Sequence, residues 1–121
     1  MKGLGFFFVA SAAVYLTLGM LWGISMGIAH DFQMAPAHAH LNLVGGVLMA
    51  IFGLFYHVVP RAGATALARV HFWVATLGVW IFPAGIALSE ATGRPAMAIV
   101  GSLVVLASML IFLGVVMRSR L

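Results

Sequence analysis

The sequence predicts an all-α fold, a four-helix transmembrane bundle with both termini cytoplasmic. Composition, the continuity of the apolar runs and the placement of the charges predict it. Of 121 residues 64% are hydrophobic and 7% charged. A soluble domain carries roughly 25% charged residues, so 6 Lys+Arg and 2 Asp+Glu are too few to coat a globule. With 0 Cys a secreted disulfide scaffold is excluded, and so is a disordered chain. The apolar runs are continuous, as in membrane helices, rather than alternating as in a barrel.

Four runs approach the ~20 residues that cross the hydrocarbon core. They cover residues 4–29, 37–59, 70–88 and 96–117, within one transmembrane domain of residues 1–121. The first follows Lys2 and is about 26 residues long, beyond a signal-peptide core, and its small residues Ala10, Ala12 and Ala13 fall too early for a cleavage site. It reads as a retained helix. Pro36 stands in the first turn of the second helix, and Pro60 stands just past its end. Pro83 lies inside the third run and predicts a kink. Pro95 marks the start of the fourth.

The charges set orientation. Four spans place both termini and the joint 60–69 on one side, with Lys2, Arg61, Arg69, Arg118 and Arg120. The other side holds Arg94, Asp31 and Glu90. That asymmetry predicts cytoplasmic termini in a bacterial inner membrane. The net charge of +4 forms no stripe along any helix, which argues against nucleic acid as a partner.

Five histidines in so apolar a chain are the informative feature, because ionisable residues in membrane spans are costly and usually functional. His38 and His40 differ by roughly 200° of helical rotation and 3 Å of rise. On a regular helix they point to nearly opposite sides. If residues 35–40 were unwound, the same pair would form a metal clamp. Asn42, Gly46, Met49, Ala50, Gly53 and His57 share a small face with His38. Such a face serves close helix packing, or it clears space for a flat macrocycle; packing is the commoner use. A second cluster, Met26, His30, Asp31, Met34, His38 and His40, is a soft donor set suited to copper. His71, beside Arg69 at a helix mouth, reads as an interfacial residue. His57 and His71 leave open a pairing across the short joint. The tryptophans and tyrosines read as interfacial and packing residues.

The stretch His38-Ala39-His40-Leu41-Asn42-Leu43-Val44-Gly45, continuing to Phe52-Gly53-Leu54-Phe55-Tyr56-His57-Val58-Val59-Pro60, resembles helix ten of subunit I of the haem–copper oxidase superfamily. The nearest resemblance is to the cbb3-type oxidases and nitric oxide reductases. His71-Phe72-Trp73-Val74-Ala75-Thr76-Leu77-Gly78 resembles the following helix. The likeness covers residues 35–92, and the four spans would match the last four helices of that subunit. It implies that His38 holds a high-spin haem and His40 a low-spin haem, with Asn42, Gly45 and Gly46 beside them. Two departures stand out: Gly46 replaces a frequent aromatic residue, and His57 replaces a frequent Tyr. The helices carrying the family's second low-spin ligand and its copper ligands have no counterpart among these four spans, so one copy does not assemble an oxygen-reducing centre.

The resulting expectation is a membrane haem b protein, cytochrome c oxidase subunit I-like, used in redox or electron transport with a respiratory-chain partner. Oxidoreductase chemistry is expected only if the haem keeps an open coordination position. His40 and His38 are the expected iron ligands, with His30 as a further donor and Arg94 near a haem carboxylate. The alternative for Arg94 is Glu90, at i, i+4. A homo-oligomer, dimer or trimer, would supply a missing axial ligand. The competing expectations are a copper-binding or oxidase-assembly protein built on the His/Met cluster, and a structural subunit.

Overall fold

The computed structural model describes residues 1–120. Its long helices are Gly3–Ala29, Ala35–Val58, Ala66–Thr92 and Ala96–Arg118, each long and apolar enough to cross a membrane. They are called here the first to fourth helix. The chain is an all-α, multi-pass membrane bundle, as its composition requires.

The first helix ends at His30, whose left-handed φ of 52° turns the chain. The His30 and Asp31 N–H groups satisfy the carbonyls of Gly27 and Met26. Pro36 sits in the first turn of the second helix, where a missing N–H costs nothing. A single turn, Pro60–Gly63, fills part of the joint that follows. The third helix starts when the Thr65 hydroxyl accepts from the Ala68 N–H at 3.1 Å, and it stops at Gly93, with φ 75°. It is longer at both ends than the apolar run 70–88 indicated, because helical hydrogen bonding continues into the polar layer. It also runs through Pro83 without a break.

The second helix departs from α geometry over Leu41–Leu48, which is π-helical. This segment explains its small face. Residues four apart drift by roughly 40° per step in an α-helix. The wider π turn works against that drift, and His38, Asn42 and Gly46 all face the first helix.

Two antiparallel helix pairs make up the bundle. In the first pair, a Cβ added at Gly5 would meet the Gly53 carbonyl at 2.9 Å. One at Gly19 would strike Asn42, and one at Gly23 would meet the His38 ring at 2.9 Å. In the second pair, Gly85 lies against Ala98, Gly101 against Phe82, and Gly78 against Val105. Small residues at these crossings let membrane helices approach closely. The pairs join through rings from all four helices: Phe8, Phe52 with Tyr56, His71 and Phe112.

The two ends of the bundle are held separately. At one end Gln33 Nε2 donates to the Glu90 carbonyl at 3.2 Å, joining residues 30–34 to the end of the third helix. At the other, Arg61 Nη2 donates to the Ser119 carbonyl at 3.2 Å. The basic residues expected on one side therefore share one end.

Candidate functional site

His40 closes the last α turn before the π segment. Its Nδ1 lies 2.7 Å from the Pro36 carbonyl. A carbonyl only accepts, so Nδ1 carries the proton, and the Nε2 lone pair of the neutral ring is left available. Metal-ligating histidines are commonly oriented in this way, by a backbone carbonyl on the other nitrogen. The ring stands edge-on to Phe82 of the third helix, with centroids 4.9 Å apart. That contact limits its rotation.

His38 is held differently. Its ring lies between the second helix and Gly23, edge-on to Trp22 at 6.1 Å. Its Nε2 is 3.4 Å from Asn42 Nδ2, and its buried Nδ1 has no partner among the described residues. The two imidazoles thus face different helices, as a regular turn dictates, and the unwound clamp does not form.

The same geometry places the other expected residues. Asn42 packs into the notch at Gly19. The space at Gly45 is filled by Tyr15 and Val79, and that at Gly46 by Leu16. These glycines seat neighbouring side chains of the chain itself. The small face of the second helix packs against the chain's own first helix.

His30 is exposed at the turn between the first two helices. Arg94 is exposed at the same end, and its N–H donates to Thr92 Oγ1 at 3.4 Å. Among the described residues no three His, Cys, Asp or Glu side chains converge to hold a metal ion. Part of the soft cluster does assemble. Met26, Asp31 and Met34, with Trp22, Ser25 and Ala29, line a cavity of about 180 Å³, and neither His38 nor His40 is among its walls.

His71 is the residue that sequence reasoning misplaced. It is 0% exposed, not interfacial. Tyr56 Oη lies 2.8 Å from its Nδ1, and Phe8, Phe52 and Phe112 enclose the ring at centroid distances of 5.2, 4.5 and 5.6 Å. Its Nε2 is buried without a partner among the described residues. Ala75 and Gly78, small residues four and seven positions on, mark the buried face that carries His71 inward. That spacing was the available signal. His57 is exposed and takes no part in the cluster, so the two do not pair.

No family model matches the chain, and no solved structure matches it. Among curated proteins it is similar to the Cbb3-type cytochrome c oxidase subunit CcoN1 of Stutzerimonas stutzeri, with 30% identity over 61 residues. The match covers 46% of this chain and 13% of that protein. The chain therefore corresponds to a small part of its relative's length, and the similarity supports a relationship to haem–copper oxidase subunit I at that level.

Proposed function

We propose that the chain is a membrane haem b protein of redox or electron-transport function, with His40 as its axial ligand. The observation that carries the proposal is the bond from His40 Nδ1 to the Pro36 carbonyl, which leaves Nε2 as a lone-pair donor on a membrane helix. Similarity to an oxidase subunit supports the same choice. A bound haem would supply one-electron chemistry, and the chain would supply the orienting carbonyl and the confining Phe82 ring.

The protein supplies one well-oriented imidazole. A second axial donor would come from His30 or from another copy of the chain, in a dimer or trimer linked to haem loading. Arg94, at the His30 end, remains the proposed partner of a haem carboxylate. The positive residues gathered at the other end support cytoplasmic termini in a bacterial inner membrane, with a respiratory-chain partner.

The test is the absorption spectrum and metal content of protein purified in detergent. A Soret band with a sharp reduced α-band is expected. With a bis-histidine spectrum, a dimer or trimer in native mass spectrometry would assign the second donor to another copy, and a monomer would assign it to His30. A colourless protein with stoichiometric copper would instead favour an assembly role built on the Met26, Asp31 and Met34 cavity, whose donors suit that metal. A colourless, metal-free protein would favour a structural subunit.

A further inference from the structure

An apolar groove opens between the first and third helices, with Leu41 of the second as part of its wall. It encloses about 260 Å³ and is lined by Tyr15, Trp22, Trp80 and Pro83, with Ala84 and Ala87 leaving space between them. Three flat rings and a rigid proline shape it as a slot. Ligand sites of this kind are mostly apolar with a few placed polar groups, and here the polar group is specific. Trp80 Nε1 donates to Tyr15 Oη at 3.0 Å. Among the described residues this is the one hydrogen bond that the Tyr15 hydroxyl makes. Its own proton is left without an acceptor at the groove wall.

Depth decides what supplies that acceptor. Tyr15 lies twelve residues from the start of the first helix and fourteen from its end, about 18 and 21 Å at 1.5 Å per residue. Trp80 is equally central in the third helix. The hydroxyl therefore sits near mid-bilayer, where water is absent and an unmet polar group is costly. Lipid ester carbonyls lie about 15 Å away, at the borders of a ~30 Å core. An acyl chain at this depth carries no acceptor, whereas a flat, membrane-soluble ring bearing a carbonyl oxygen does.

We infer that the groove is a binding site for a quinone-class molecule, with its ring between Trp22 and Trp80 and one carbonyl accepting from Tyr15. Gly45 helps to seat it, because a Cβ there would lie 3.0 Å from Tyr15 Cβ and from Val79 Cγ1, two walls of the slot. The groove is also adjacent to the histidine turn. Leu41 follows His40, and Pro83 follows the Phe82 that His40 packs on. The site does not depend on His40 holding a haem, so the two proposals fail independently.

The experiment is a titration of the full chain in nanodiscs with a decyl-substituted benzoquinone, read by quenching of tryptophan fluorescence. Wild-type protein should quench saturably. Tyr15→Phe should weaken binding about tenfold, the usual scale for one lost hydrogen bond. Ala84→Leu should fill the slot and abolish saturation while leaving Tyr15 in place. Decylbenzene, with the ring and tail but no carbonyl, should not displace the quinone. Equal quenching in all three proteins would mean partitioning into the bilayer and would overturn the site. So would decylbenzene competing as well as the quinone, which would mark a lipid groove. A change of oligomeric mass in Ala84→Leu would overturn it too, by showing that a second copy of the chain fills the slot.

Discussion

At one end of the bundle His71 is enclosed by three phenylalanines, with Tyr56 on its Nδ1. At the other His40 also has its Nδ1 engaged, but by a backbone carbonyl four residues back, and only Phe82 stands against its ring. Both are histidines in apolar helices, and each has an orienting bond on the same nitrogen. They differ in what surrounds the second nitrogen. His71 Nε2 is sealed inside a core to which all four helices contribute. His40 is partly exposed, in a place where no cluster of rings closes over it. The comparison teaches that an intramembrane histidine is not a ligand by residue type. A polar residue can be part of the packing, and an available lone pair is what the proposed ligand role of His40 requires.

The largest expected effect separates the two by stability. His71→Ala removes a fully buried ring and leaves the Tyr56 hydroxyl without its partner. Loss of a buried aromatic side chain typically costs about 3–5 kcal/mol. His40→Ala should cost under about 1 kcal/mol, because a partly exposed ring on one side of the bundle leaves little cavity. Unfolding in mixed micelles, followed by circular dichroism, would measure both. Equal small losses would show that the ring cluster is not the core.

Next come the crossings that hold the two helix pairs. Gly101→Ala would push a methyl to 2.5 Å from Phe82 Cα, and overpacking against backbone typically costs about 1–3 kcal/mol. Gly23→Ala meets only the His38 ring, which is able to swing, so its loss should be the smaller of the two in the same unfolding assay. A still smaller effect is expected for Tyr56→Phe. It keeps the packing and leaves His71 Nδ1 without a partner, for about 1 kcal/mol. A loss as large as that of His71→Ala would mean that the hydrogen bond, rather than the ring packing, holds the core.

Much of the fold was legible because hydropathy and length decide what crosses a bilayer, and proline, glycine and threonine mark the joints. The opposed directions of His38 and His40 followed from helical rotation alone. The depth of His71 did not. Its neighbour Arg69 is exposed and drew the reading toward the interface, while the face shared with Ala75 and Gly78 turns the ring inward. The small face of the second helix was visible in the spacing, but spacing does not say which helix fills it. Its own first helix does for Asn42 and Gly46, and Tyr15 with Val79 of the third helix does for Gly45. The π segment was invisible, since it arises from packing and not from residue propensity.

The difference between His38 and His40 gives the most direct test. Each is replaced by alanine, the proteins are purified with haem supplied, and Soret absorbance is compared per mole of protein. His40→Ala should lose or convert the haem spectrum, and His38→Ala should keep it, because only His40 presents an oriented lone pair. Loss in His38→Ala with retention in His40→Ala would contradict the assignment.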